Sequence, residues 1–371
     1  MQDLVTTLAI APRIADILAR RPGLLETLIS AAVRKTQPEL SEQMDFETKM
    51  NAVRRWQGEQ AFLIGHQLLH GRIKASDAAA AWTELADTCV TLMARAAETE
   101  TVRRFGPAPG TWSIIGLGKL GGREMTAGSD LDLIVIYDAD GASDAQNWFT
   151  RFTQRLITAL SAETGEGRLY ETDMRLRPSG RSGPVATSLA AFERYHQSNA
   201  WTWEHMALTR LRPIIGDAAL GTRIQSIAER IINSDKYPTR AADILDMRQR
   251  LYREKPPQSD WDLKTRRGGL LDLEFVTQHA ILTAAAPQQV RPELTAAQDQ
   301  LLASQEWTKT FHETLAQAFS FLQALQQVQR MAHETVTGPG DLSNALKDRL
   351  CRATGHDSFE ALTEALEENC E

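Results

Sequence analysis

Two apolar runs of strand length, TWSIIGLG (111–118) and DLIVIYD (132–138), stand close together in a chain whose other long segments carry helical spacing. Runs this short and this apolar predict buried strands, so a small sheet must interrupt the helices. Gly116 and Gly118 close the first run, Gly121 and Gly122 follow it, and the acids Asp130 and Asp132 stand at the mouth of the second run. Residues two apart on a strand point the same way, so both carboxylates share one side. They repel unless a cation lies between them.

The rest of the chain is arranged around this pair. Ile14, Ile17 and Leu18 recur at helical spacing before a break at Arg21-Pro22, and Leu24, Leu25 and Leu28 resume it. Residues 48–70 and 75–100 predict two long amphipathic helices, the second capped by Ser76 or Asp77. A Pro/Gly stretch at 105–110 marks the entry to the sheet. After the strands, 145–164 predicts a helix and LYETDMRLR (169–177) a strand. Its alternation puts Asp173, Arg175 and Arg177 on one face. Residues 188–212 predict a helix with Ser188 as N-cap, and from about 240 the chain is helical again. In the segment 307–334, Leu315, Phe319, Leu322 and Leu325 trace an apolar stripe. The fold class is therefore α+β and mostly helical: a helical region over 1–100, a small α/β catalytic domain over 101–235, and a helical bundle over 236–371.

Several function classes recede on composition. The net charge of −7 opposes a broad grip on nucleic acid. Three dispersed cysteines without a CxxC pair oppose a disulfide framework or a structural zinc site, and favour a reducing cytoplasm. The N-terminus lacks the layout of a signal peptide, and no run approaches the roughly 18 apolar residues of a membrane helix. No nucleic-acid or membrane partner is expected.

The chemistry gathers at the acids. Hard oxygen ligands at this spacing suit Mg²⁺, and Asp173 can join Asp130 and Asp132 from a neighbouring strand to complete a two-metal site for phosphoryl or nucleotidyl transfer. The Gly-rich turn lets backbone N–H groups approach a phosphate, with Lys119 and Arg123 supplying charge, although GxxxxGK[ST] is absent. Arg175 and Arg177 could neutralise a triphosphate or the leaving pyrophosphate. Strand, Gly-rich turn, GSDLD, strand, helix and a further acid together resemble the nucleotidyltransferase fold shared with DNA polymerase β. Elsewhere, His66 and His70 sit at i,i+4 without the Glu of HExxH and read as a core or surface pair. Tyr195, Trp201 and Trp203 could stack an adenine but read better as core. Arg248, Arg250 and Arg253 read as a solvated face or a partner surface, and Cys370 as exposed and inert.

Three longer stretches resemble bacterial glutamine-synthetase adenylyltransferase: GLGKLGGREMTAGSDLDLIVIYD (116–138), YETDMRLRPSGRSGPVATSLAAFERYHQSNAWTWEHMALTRLRPIIGD (170–217) and DLKTRRGGLLDLEFVTQHAIL (262–282). The resemblance implies a relative of a tandem enzyme. One half transfers AMP from ATP to a tyrosine of glutamine synthetase; the other removes it by phosphorolysis. RLRPSG followed by AWTWEHMAL looks like the adenylylating half, and this chain carries one copy of the motif. The resemblance implies metal acids at Asp130, Asp132 and Asp173, a nucleotide-binding region containing Gly118, Lys119, Gly128 and Ser129, and ATP as substrate. It also implies a PII-type signalling protein as a partner beside glutamine synthetase. Glu204, Arg210 and Arg212 fall within the same motifs. A buried ion pair is the simpler reading for them than substrate contact.

Overall fold

The computed structural model describes residues 2–24, 36–139, 141, 143–234, 239–332 and 338–370; Leu25 and Leu28 lie outside them. Helices α1 (Gln2–Ile10) and α2 (Pro12–Arg20) break at Ala11, with Pro12 opening the second helix where a missing N–H costs nothing. Next come α3 (Phe46–Leu69) and α4 (Ala75–Phe105). Asp45 caps α3 by accepting from Thr48 N at 2.7 Å. The cap of α4 is neither Ser76 nor Asp77: the N-cap is Lys74, and Asp77 at the third helical position accepts from its backbone N–H at 3.4 Å.

The sheet follows. Strands β1 (Thr111–Gly116) and β2 (Leu131–Asp138) run antiparallel, joined through the single helical turn α5 (Gly118–Gly121). After α6 (Ala145–Ser161) come β3 (Thr172–Asp173) and β4 (Ala186–Ser188), both parallel to β2 at successive positions along it. The strand expected over 169–177 is thus two residues long. The chain turns at once, with Arg177 N donating to Met174 O at 3.2 Å. The helix expected over 188–212 is also shorter. It divides into α7 (Leu189–Ser198), capped by Ser188 as expected, and α8 (Thr202–Leu208), and then gives way to β5 (Arg212–Gly216), antiparallel to β1. Pro213 is compatible with β5 because that strand lies at the sheet edge.

The remaining helices are α9 (Ala218–Ile232), α10 (Arg240–Glu254), α11 (Leu270–Thr283), α12 (Leu294–Ala303), α13 (Lys309–Ala332), α14 (Asn344–Thr354) and α15 (Phe359–Glu368). The chain is mostly helical around one small mixed sheet. On α13, Phe319, Leu322 and Leu325 are buried and Leu315 is half-buried. Among the described residues no helix is long and apolar enough to cross a membrane.

The pleat divides the interior in two. Leu131, Leu133, Val135 and Tyr137 face a core built with residues of α2 to α4, α6 and α13 to α15. Ile134 and Ile136 face a second core built with residues of α7 to α12. By strand alternation the side chain of Asp132 belongs to the second face.

Candidate active site

The three acids come together as their spacing implied. Asp130 is exposed immediately before β2, Asp132 is the second residue of β2, and the parallel register sets Asp132 beside Asp173. One carboxylate oxygen from each lies within 4.8 Å of the others. Burial pushes the Asp132 carboxyl up to about 7, and the charges of Asp130 and Asp173 push the same way; Lys264 and Arg175 oppose them. A crowded set of hard oxygen donors with too little positive charge fits a divalent cation such as Mg²⁺.

The Gly-rich turn is moulded to these acids. Leu117 N donates to Asp132 O at 2.9 Å. Gly118 has φ +50°, and a Cβ there would lie 2.2 Å from Asp132 Oδ2. Glycine is required for both reasons. A Cβ on Gly121 would meet Arg210 O at 1.9 Å, and one on Gly122 would meet Arg210 Nη2 at 1.8 Å. Arg210, only 4% exposed, pairs with Glu124 at 2.6 Å and Glu274 at 3.1 Å. Glu124 also accepts from Leu294 N at 2.9 Å, so the ion cluster ties the turn to α11 and α12. Arg212 donates to Asp87 on α4 through two bonds of 2.9 Å and to Gly121 O at 3.0 Å. Glu204 accepts from Trp201 N and from Tyr195 OH, both at 2.9 Å, bracing the start of α8. In this structure all three residues hold architecture, although Arg212 does so from a strand.

The other sequence candidates scatter more widely. Lys119 donates to Gln326 on α13 at 2.8 Å, and burial, with Lys264 nearby, pushes its ammonium down to about 8. Ser129 is buried and its hydroxyl accepts from Thr126 N at 3.0 Å, while Gly128 is exposed with φ +69°. Both border a cavity of about 550 Å³, walled also by Gln57, Trp82 and Met331, that none of the three acids lines. Arg175 folds back on Asp173, its Nε 2.7 Å from Oδ2. Arg177 donates to Met174 O at 2.8 Å. Because β3 ends at Asp173, the two arginines do not share a strand face with it.

His66 and His70 both turn to Thr7, at 3.3 and 2.7 Å. Trp201 and Trp203 are not core: they are 70% and 38% exposed. Arg248 pairs with Asp272 and Arg250 with Asp246. Cys370 is half-buried rather than exposed. The ion cluster of Glu124, Arg210 and Glu274 was missed as a unit, because its members are far apart in the chain. The adjacent Gly121-Gly122 was the only local sign that something bulky must lie against the turn.

The chain matches the family model described as Glutamate-ammonia ligase adenylyltransferase over residues 1–227. Among its relatives are three proteins named bifunctional glutamine synthetase adenylyltransferase/adenylyl-removing enzyme. The Agrobacterium fabrum protein is 40% identical over 94% of this chain and 38% of its own length. The Brucella suis protein is 38% identical over 97% of this chain and 39% of its own. The Caulobacter vibrioides protein is 42% identical over 76% of this chain and 30% of its own. The chain thus spans less than two-fifths of the length of these relatives. Family match and identity agree: this chain belongs to the glutamate-ammonia ligase adenylyltransferase family.

Proposed function

We propose that this chain is an Mg²⁺-dependent nucleotidyltransferase that moves AMP from ATP to a tyrosine of glutamine synthetase. The observation that carries the reading is the convergence of Asp130, Asp132 and Asp173 beside a turn that admits no side chain at Gly118. The three acids would hold Mg²⁺, in a pair. When bound, it neutralises phosphate oxygens and lowers the pKa of an attacking hydroxyl. The chain's own groups do the rest. The bare Gly118 lets the turn close on Asp132, so that its backbone would face a triphosphate held by the acids, and Arg175 stands over Asp173 within the same site. The tyrosine oxygen forms a bond to the α-phosphorus as the bond to the α,β-bridging oxygen breaks. Its electron pair leaves on pyrophosphate, and Asp173 receives the hydroxyl proton. Alignment and fixed charge supply most of the rate.

The adenylylating direction rests on RLRPSG and AWTWEHMAL at 175–180 and 200–208. The helical back, 236–371, is the surface we assign to a PII-type protein.

Transfer of AMP from ATP labelled at the α-phosphate to unmodified glutamine synthetase tests this, with and without a PII-type protein. The expected result is label on a tyrosine, falling by about 10²–10⁴-fold in Asp130→Asn and in Asp132→Asn. Absence of label with phosphate-dependent release of AMP from modified glutamine synthetase would instead establish the adenylyl-removing reaction, which uses the same acids.

A further inference from the structure

The third acid comes at the end of a weakly packed approach. Between α6 and β3 the chain makes a short hairpin. Thr164 N donates to Gly167 O at 3.3 Å, and Gly167 N to Thr164 O at 2.9 Å. The hairpin has little core of its own, since Glu163, Gly165 and Arg168 are exposed. Glu163, Arg168 and Glu171 line the cavity of about 550 Å³, and so do residues 127–129, which lead to Asp130. Packing is therefore incomplete along the approaches to both acids.

What holds the hairpin is polar, and it comes from the first helices. Glu166 accepts from Arg21 Nη2 and from Arg55 Nη1, both at 3.0 Å. Thr164 Oγ1 donates to Asn51 Oδ1 at 2.9 Å. Asn51 and Arg55 are four residues apart, so they share one face of α3. Arg21, just past α2, also donates to Arg55 O through its other terminal nitrogen. Gly58 of α3 gives that guanidinium its seat, because a Cβ there would collide with Arg21 Nη1. Glycine weakens a helix interior, so the seat is made at a cost to α3. From the hairpin the path to the acid is short. Tyr170 N donates to Leu160 O at 2.9 Å and Leu131 N to Glu171 O at 2.8 Å. The two-residue pairing of β3 with β2 then sets Asp173 beside Asp132. So few hydrogen bonds are a weak hold on a metal ligand.

We propose that Glu166 is a positioning residue for the third acid: gripped by Arg21 and Arg55, it fixes the hairpin that carries Asp173 to the other two carboxylates, so that α2 and α3 set how the metal site closes. The inference rests on the nucleotidyl-transfer reading above. A purely structural ion pair at this exposure adds little to global stability. A positioning pair acts locally, on the β2–β3 pairing and on the cation that the acids hold.

The test compares wild type with Glu166→Ala and with the double variant Arg21→Gln/Arg55→Gln, which remove the same ion pairs from opposite ends. Amide exchange in the metal-free proteins, calorimetric binding of Mn²⁺ as the probe cation, and melting temperature are measured. The melting temperature should fall by no more than about 3 °C. Exchange at Leu131 should quicken by about three- to tenfold in both variants, while amides between β1 and β2 keep the wild-type rate. Mn²⁺ affinity should weaken by about the same factor, and combining all three substitutions should add nothing further. Unchanged exchange at Leu131 in Glu166→Ala, unchanged Mn²⁺ affinity, or acceleration spread evenly over the sheet would overturn the assignment. Failure of wild type itself to bind Mn²⁺ would overturn the transfer reading, and the assignment with it.

Discussion

Arg54 and Arg210 are both almost wholly buried, 2% and 4% exposed, Arg54 beside α6 in the first core and Arg210 against the Gly-rich turn. Their charges are met in different ways. Arg54 donates to Ala159 O at 3.0 Å and Ala162 O at 2.8 Å, the carbonyls at the end of α6. Its charge is met by helix-end dipoles, and its effect is to fasten α3 to α6. Arg210 is met by two full carboxylates, one beside the Gly-rich turn and one on α11. The first arrangement fastens a scaffold. The second sets a fixed field beside the Gly-rich turn and joins that turn to α11 and α12.

The comparison can be broken by removing each charge. Arg210→Met strands Glu124 and Glu274 without a partner and should cost roughly 3–5 kcal/mol in denaturant unfolding. AMP transfer per folded molecule should fall with it. Arg54→Met should cost about 1–3 kcal/mol, since it leaves only backbone carbonyls unpaired. Its transfer per folded molecule should match wild type. A stable, active Arg210→Met variant, or an inactive Arg54→Met variant that is well folded, would show that the two arginines do not divide labour this way.

The smallest effect is in pH. Elsewhere, burial pushes His196 down to about 3 and His205 down to about 4. In the unfolded chain both protonate near 6.5. The unfolded state therefore takes up protons first, and stability present above pH 6.5 is lost as pH falls toward 4. Asp132 has the opposite sign. Its folded pKa is raised to about 7, so its destabilising contribution is relieved as pH falls through that value. Metal-free Asp132→Asn should consequently lose stability on acidification more steeply than wild type, by at most about 1.4 kcal/mol per pH unit. Parallel melting curves between pH 7 and 4 would refute the shifted carboxyl.

Which parts were legible follows the same division. Strands β1 and β2 announce themselves as apolar runs, and α3, α4 and α13 by periodicity and length, because those elements bury continuous faces. Strand β5 hides behind Pro213 and a Leu-Thr-Arg approach that continues a helical pattern, and β4 is three residues long. LYETDMRLR does alternate, but beyond Asp173 it has no neighbouring strand to pair with, so pattern alone overstates its length. That the acids come together was legible from their spacing and from the strand that brings Asp173. Arg210 with its two carboxylates was not, because a buried ion cluster is assembled by packing across the chain and leaves little local trace.

The pairing that delivers Asp173 is only two residues wide, with Leu131 N on Glu171 O at 2.8 Å just outside it. Its partners are about forty residues apart in the chain, so the pairing depends on the segments between them to hold it. So narrow a ladder is a natural unit of local opening, smaller than the domain. Opening it would separate the third acid from the other two and leave the pairing of β2 with β1 and β4 intact. On the transfer reading proposed above, such opening would take the site apart without any subunit or domain moving, and the exchange rate of the Leu131 amide would report how often the three acids stand together.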